Sequence, residues 1–232
     1  KTSRRIHDPS SSNHPDFKTF TVSPLCPYPT KIIMPGQSLW IRFTILGKTY
    51  INLFCENWLT KVPEQIRIGP CFFEITKVNT DLSQHPWASS IALEDFSKIL
   101  KNPHPRDRWE LVFYTPLTTH GKYGHFPIPL PKTLLNNWLR KWNKLGHIKL
   151  SSDLVDKLGE HLLISSYKLK SCNLNMKKPD NLKCGIGRMT MIAKKMRPGE
   201  KAAIDLLANF AFYCGSGQLT TRGLGMTYLN KS

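Results

Sequence analysis

Near the end of the 232-residue chain, the segment CGSGQLTTRGLGM combines two glycine pairs with side chains that can bind phosphate. Hydroxyls, a guanidinium and bare backbone N–H groups all donate hydrogen bonds to the phosphate or sugar oxygens of RNA. Because glycine loses much backbone entropy on ordering, such a cluster indicates that the backbone approaches something closely. The residues predicted to bind RNA here are Gly215, Gly217, Thr220, Thr221, Arg222, Gly223 and Gly225.

Two nucleotide-binding motifs are excluded by the order of the surrounding elements. A P-loop needs a Gly-Lys-Ser/Thr step that opens a helix after a strand, and a dinucleotide fingerprint needs the same order. In this chain a predicted helix precedes the glycines, and the remaining residues are too few for another. A structural alternative stays open, in which the glycines form only a helix C-cap and a hairpin. That alternative explains Gly215 and Gly217 but not the second pair.

The apolar pattern predicts which elements position the glycine segment. The strongest predicted helix is PGEKAAIDLLANFAFY, directly before the glycines, and a second helix runs from near Pro131 to Gly146. Strands are predicted over WELVFYTPLT, HLLISSYKLKSCNL, KCGIGRMTMIAKK and MTYLN. The second half therefore has the order strand, helix, strand, strand, helix, strand. This is the order of a ferredoxin-like domain, which is also the fold of a common RNA-binding module.

The first half is predicted to contain the same order without its first strand and most of its first helix. Strands are predicted in FKTFTVSPL and QSLWIRFTILG, a helix in TYINLFCENWLT, a single strand over IRIGPCFFEITKV and a short helix in ALEDFSKIL. The composition changes at KNPHPRDR, residues 101–108, which we interpret as a linker. We therefore predict an α+β protein of two tandem ferredoxin-like (RRM-like) domains. The first spans residues 1–104 and is truncated, and the second spans residues 105–232.

The charge balance indicates a polyanionic partner. The chain has 33 Lys and Arg residues against 16 Asp and Glu, a net charge of +17, which favours nucleic acid first and an anionic membrane surface second. Its apolar stretches are far shorter than the ~20 residues of a membrane-spanning helix, and no signal peptide is visible. We predict a cytoplasmic protein that does not bind membranes. The six cysteines are scattered and predicted to be buried, and no cluster has metal-ligand spacing, so neither a metal nor another cofactor is expected.

Basic residues are concentrated on the predicted hairpin of the second half. Between Lys168 and Lys201 there are ten basic residues, against only Asp180 and Glu200. The alternative to RNA binding is a solvated charged surface. On the Pro131 helix, Trp138 and Trp142 are predicted to lie in the core, and Lys141 is a further phosphate candidate. The residues predicted most specifically to contact RNA phosphates are Lys177, Lys178, Arg188, Arg140 and Lys144, the last two sharing one helix face.

Three segments, in this order, resemble the CRISPR repeat-processing endoribonucleases (the Cas-six family). KTFTVSPL resembles the first-domain strand of the family, and FPIPLPKTLLNNWLRKWN is similar to its proline-bounded helix. GSGQLTTRGLGM, after LLANFAFYC, matches the C-terminal glycine-rich signature at all four glycines, with Leu224 in place of a frequent aromatic residue. The resemblance covers nearly the whole chain.

The resemblance implies metal-independent cleavage of CRISPR precursor RNA within its repeats. The 2′-OH upstream of the scissile phosphate would attack it and leave a 2′,3′-cyclic phosphate and a 5′-OH. By family position, His7 would transfer a proton and Lys18 would stabilise charge, with His14 as an alternative to His7. The product hairpin would stay bound in a crRNA-guided effector complex with other subunits. Two alternatives stay open: a non-catalytic repeat-RNA-binding subunit, and a basic RNA-binding protein unrelated to CRISPR.

Overall fold

The computed structural model describes residues 18–30, 32–121, 124–159, 161–176 and 181–230. His7, His14, Lys177 and Lys178 lie outside the described residues. The strands are β1 Phe20–Val22, β2 Phe43–Ile45, β3 Gln65–Ile68, β4 Cys71–Glu74, β5 Arg108–Leu117, β6 Thr119–Gly121, β7 Gly124–Phe126, β8 Leu162–Leu174, β9 Leu182–Ala193 and β10 Thr227–Asn230. The α-helices are α1 Lys48–Asn57, α2 Leu93–Ser97, α3 Pro131–Leu145, α4 Asp153–Gly159 and α5 Pro198–Cys214.

The second half is built around a four-stranded antiparallel sheet in the order β10–β5–β9–β8. In the chain order of its own strands this is 4-1-3-2, with α3 between the first two strands and α5 between the last two. The alternation along β5 buries Trp109, Leu111 and Phe113 on one face, where they join the core formed with α3 and α5. The predicted ferredoxin-like order of this half is therefore confirmed. The sequence did not predict α4 or the β6–β7 hairpin.

The two long helices begin and end where the sequence signals predict. Pro131 is the first residue of α3, and Gly146 follows its last. In α5, Pro198 is the first residue, and the Glu200 carboxylate accepts a hydrogen bond from the Arg197 N–H across 2.8 Å. Because α5 packs against the sheet, against α3 and against β1, β2 and α2 of the first half, most of its residues are buried, which explains its apolar composition.

The first half pairs β1 with β2 in antiparallel register and follows them with α1, as predicted. The predicted single strand over IRIGPCFFEITKV is wrong. The chain turns at Gly69, whose φ is 60°, and forms the β3–β4 hairpin instead. The prediction that all cysteines are buried is also wrong, because Cys71 on β4 is exposed. None of the helices in the described ranges has the length and apolar character needed to cross a membrane.

Candidate functional site

The glycine-rich segment, which we define as Cys214–Met226, begins where α5 ends and leads into β10. Each of its glycines has a positive φ, between 65° and 95°, in the region that favours residues without a side chain. All of them are buried. The sequence signal of four glycines therefore corresponds to a backbone that needs this conformation and this lack of side-chain volume at each position. The four are Gly215, Gly217, Gly223 and Gly225.

The glycine backbone approaches the protein itself. A Cβ at Gly217 would overlap the carbonyl oxygen of Thr118, just after β5, and a Cβ at Gly225 would overlap that of Ser216. The N–H of Gly215 donates to Ala211 O across 2.9 Å, and the N–H of Gly225 donates to Pro116 O across 2.8 Å. These two N–H groups are therefore used inside the protein, which corrects the expectation that they face RNA.

The side chains between the glycine pairs are the accessible part of the segment. Thr220, Thr221 and Arg222 form a short 3-10 turn, which starts after Leu219 in a left-handed conformation with φ of 56°. The two threonines are half-buried, and Arg222 is exposed. A phosphate-binding role of this segment thus falls to the hydroxyls and the guanidinium of the turn.

Strand β1 packs against this turn, and Lys18 stands shortly before β1 in the chain. Gly223 lies against Pro24, which follows β1. Lys18 is exposed and stands two residues before Phe20, about 7 Å along an extended chain. A small cavity of about 10 Å³ lies between the two elements, lined by Thr21, Val22, Ser23, Arg42, Gly215, Thr220, Leu224 and Met226. The structure therefore brings β1, the strand that follows Lys18, and the glycine-rich segment together.

Helix α3 holds the start of the glycine-rich segment through three side chains on one face. Asn137 Nδ2 donates to Gly217 O across 3.2 Å, and Trp138 Nε1 donates to Ser216 Oγ across 3.1 Å. Lys141 Nζ donates to the carbonyl oxygens of Cys214, at 2.8 Å, and Gly215, at 3.3 Å.

Lys141 is buried, and burial lowers the pKa of its ammonium. The hypothesis that Lys141 binds phosphate is therefore wrong. The core positions predicted for Trp138 and Trp142 are confirmed. The polar contacts of Asn137 and Trp138 were not predicted, although their spacing from Lys141 places all three near one helix face.

Arg42, in the first half, contacts the carboxyl end of α5. The sequence did not predict a role for this residue. Its Nε donates to Trp87 O across 2.8 Å and its Nη1 to Phe212 O across 2.6 Å. The guanidinium carbon lies 3.9 Å from the centre of the Phe212 ring, a cation–π contact. Burial lowers the pKa of Arg42 to about 10. No signal in the sequence distinguishes this arginine from the exposed ones.

The described basic residues of β8 and β9 are exposed, and two of them face each other across strands. Lys168 on β8 is directly opposite Arg188 on β9. Arg188 Nη1 lies 3.8 Å from Glu110 Oε1, at the outer limit of an ion pair. Arg140 and Lys144 are exposed and lie one turn apart on α3. Lys177 and Lys178, which lie between β8 and β9 in the chain, are outside the described residues.

The described histidines of the second half make at most pairwise contacts with other possible metal ligands. His120 and His125 are directly opposite each other in the β6–β7 hairpin with ring centres 5.3 Å apart. His147 pairs with Glu94 at 2.7 Å. Within the part of the chain that the structure describes, no group of three or more His, Cys, Asp or Glu residues is placed to hold a metal ion.

Solved structures share this fold over most of the chain. The product complex of the Cas6 protein TTHB231 superimposes with a TM-score of 0.79 at 20% identity, covering 99% of this chain and 86% of that chain. The substrate mimic complex of the Cas6 protein TTHA0078 gives a TM-score of 0.76 at 22% identity, covering 91% and 85%. Thermus thermophilus Cas6 (TTHB231) gives 0.73 at 19% identity, covering 99% and 84%.

These similarities confirm the predicted α+β fold of tandem ferredoxin-like domains. No curated protein sequence matches the chain. The family model described as CRISPR-associated endoribonuclease Cas6 matches residues 111–227, half of the chain, and its range includes most of β5 and all of α3, β8, β9, α5 and the glycine-rich segment. The chain therefore belongs to the Cas6 family of CRISPR-associated endoribonucleases, which process CRISPR repeats.

Proposed function

We propose that this chain cleaves CRISPR precursor RNA within its repeats by attack of a ribose 2′-OH on the adjacent phosphate. The observation that carries the proposal is the packing of β1 against the Thr220–Arg222 turn. Lys18 is exposed and precedes β1 by two residues, and we propose that it reaches a phosphate held by the hydroxyls and the guanidinium of the turn. A phosphate bound by the turn would thus lie within reach of the Lys18 ammonium.

The proposed reaction requires only proton transfer and charge stabilisation. A base removes the proton of the 2′-OH, the oxygen attacks the phosphorus, and the 5′-oxygen of the next nucleotide leaves with a proton from an acid. The products are a 2′,3′-cyclic phosphate and a 5′-OH. We assign proton transfer to His7, with His14 as the alternative, because imidazole titrates near neutral pH. Lys18 stabilises the charge that develops on the phosphoryl oxygens. No step requires a metal ion.

The basic surface of the second half is proposed to bind the repeat hairpin. Lys168 and Arg188 are directly opposite each other on neighbouring strands, and an RNA phosphate near both would neutralise two cations at once. Arg140 and Lys144 on α3 extend the same basic character to a helix that also supports the glycine-rich segment. A-form RNA is bound mainly through its phosphates and shape, which suits such a surface. Lys177 and Lys178 are proposed to belong to it.

The chain is further proposed to keep its product. Solved Cas6 proteins of the same fold include a product complex and a substrate mimic complex, which supports binding of both states by one surface. Retention would let the chain carry the processed RNA into a crRNA-guided complex with other subunits.

The test compares the locus repeat RNA with an RNA of equal length whose stem is scrambled. The proposal expects cutting at one position of the repeat only. The downstream product should accept phosphate from polynucleotide kinase directly, because it carries a 5′-OH. The upstream product should accept a 3′ adaptor only after its cyclic phosphate is removed. Tight binding without scission would favour the non-catalytic subunit, and equal binding of both RNAs would contradict repeat recognition.

A further inference from the structure

Two cations, the half-buried Arg42 and the buried Lys141, contact the carboxyl end of α5 from opposite halves of the protein. Arg42 comes from the segment just before β2 and Lys141 from α3. Arg42 bonds Phe212 O, and Lys141 bonds Cys214 O and Gly215 O. Neither forms an ion pair with a carboxylate in the described ranges, so helix-end carbonyls are their counter-charge.

Apart from Trp87 O, which Arg42 also bonds, the carbonyls that the two cations bond lie in the last turn of α5 and at Gly215. The glycine-rich segment therefore starts from an anchored point, and Gly217 is then anchored to Asn137. The N–H of Gln218 donates to Thr118 O across 2.9 Å. Only after these contacts does the chain form the Thr220–Arg222 turn that packs against β1.

The position of the turn relative to Lys18 thus depends on both halves. Arg42 lies in the same half as Lys18, since β1 and β2 pair with each other, and the backbone N–H of Arg42 donates to Ser23 Oγ across 2.8 Å. Through Phe212, Arg42 fixes β1 and β2 to α5. Lys141 fixes α5 and the glycine-rich segment to α3. The two contacts together determine where the turn stands beside β1.

We propose that Arg42 and Lys141 are positioning residues for RNA cleavage, which hold the Thr220–Arg222 turn at a fixed place beside Lys18 by bonding the carboxyl end of α5. This inference rests on the proposed function and extends it to two residues that do not contact RNA. It differs from a purely stabilising role, because it predicts that loss of either contact slows the chemical step more than it weakens RNA binding.

The first test is the variant Lys141→Met, which removes the ammonium and keeps an apolar stem of similar length. Under single-turnover conditions with saturating protein, the cleavage rate constant should fall at least tenfold. The Kd for repeat RNA with a 2′-deoxy at the cut should change less than threefold, because the basic surface of β8, β9 and α3 is intact.

The control variant is Met191→Ala, at a fully buried core residue on β9 that is opposite Trp109 on β5. The end of β5 near the glycine-rich segment pairs with the other end of β9, where Leu117 is opposite Gly185. It should lower stability without touching the glycine-rich segment. At a temperature where both variants are folded, its cleavage rate should stay within twofold of the unmodified chain. A second variant, Arg42→Lys, keeps the charge but loses the fork that reaches two carbonyls, and it should also slow cleavage.

Amide hydrogen exchange supplies a readout that does not need cleavage. Lys141→Met should raise exchange of residues 215–226 at least tenfold and leave β5 unchanged. Equal cleavage losses in Lys141→Met and Met191→Ala, or unchanged exchange in residues 215–226, would overturn the inference. If the unmodified chain does not cut repeat RNA, the proposed function fails by itself. The exchange comparison then decides whether Lys141 positions the segment.

Discussion

The backbone N–H of Ser216 donates to the carbonyl oxygen of Gly225 across 2.8 Å, so the two glycine pairs lie side by side. The N–H of Gly225 in turn donates to Pro116 O at the end of β5. A helix C-cap followed by a simple hairpin leaves the second glycine pair unexplained, whereas this backbone crossing requires it. The glycines shape the segment, and the side chains between them are left to contact a ligand.

Gly225→Ala should destabilise the protein strongly. Its φ is 70°, and an added Cβ would overlap Ser216 O, so we expect a loss of at least ~2 kcal/mol in the free energy of unfolding. Urea denaturation measures this loss. The matched control is Gly199→Ala in the first turn of α5, where a Cβ meets nothing within 4 Å. That change should be neutral or stabilising by up to ~1 kcal/mol. Similar losses for both variants would contradict the structural role of Gly225.

Lys18→Ala should reduce the cleavage rate by about 100- to 1,000-fold, the usual cost of removing one group that stabilises transition-state charge. Because a single contact is removed from a large basic surface, the Kd for uncleaved repeat RNA should change little. Single-turnover kinetics and filter binding measure the two quantities. Lys48→Ala, an exposed lysine at the start of α1, should leave both unchanged. A Lys18 variant that binds weakly but cuts at the normal rate would place Lys18 outside the reaction.

Arg188→Ala should weaken repeat binding in a salt-dependent manner. If Arg188 contacts one phosphate, the slope of log K against log[salt] should become less negative by about 0.7–0.9. The measurement is a titration of uncleavable repeat RNA at several salt concentrations. Lys77→Ala removes an exposed charge from the first half and should keep the full slope. An unchanged slope for Arg188→Ala would exclude its phosphate contact.

Thiol reactivity should distinguish the cysteines by burial. Burial raises the pKa of Cys184 to about 12 and that of Cys214 to about 11. The thiolate is the reactive form, so at pH 8.5 both should react with iodoacetamide far more slowly than the exposed Cys71. Raising the pH should increase their labelling, provided the protein stays folded. Mass spectrometry after timed labelling measures the rates, and labelling of Cys214 as fast as Cys71 would contradict its burial against Lys141.

Local sequence signals were sufficient for most elements. The proline and glycine that bound α3, and the apolar stripe of α5, depend on nearby residues only, and the structure places both helices as predicted. The ferredoxin-like order of the second half follows from those elements. The β3–β4 hairpin was missed because Gly69-Pro70 interrupts a run with uniform strand composition, and a single turn decides between one strand and two.

The contacts that hold the candidate site were not predictable in the same way. Lys141 and Arg42 look like surface cations in the sequence, because their partners are backbone carbonyls far away in the chain. The glycine N–H groups were expected to face a ligand, but those of Gly215 and Gly225 bond the protein's own carbonyls. The glycine pattern identifies a tight backbone path, and only the fold shows what lies next to it.

The proposed reaction depends on metal-free attack by the 2′-OH, and incubation of the chain with its repeat RNA in EDTA tests this step. The same RNA with a single 2′-deoxy nucleotide upstream of the scissile phosphate serves as the matched substrate. We expect the all-ribose RNA to be cut in EDTA, and the deoxy substrate to be bound but to stay intact. Cutting of the deoxy substrate, or activity that disappears in EDTA and returns with a divalent ion, would contradict it.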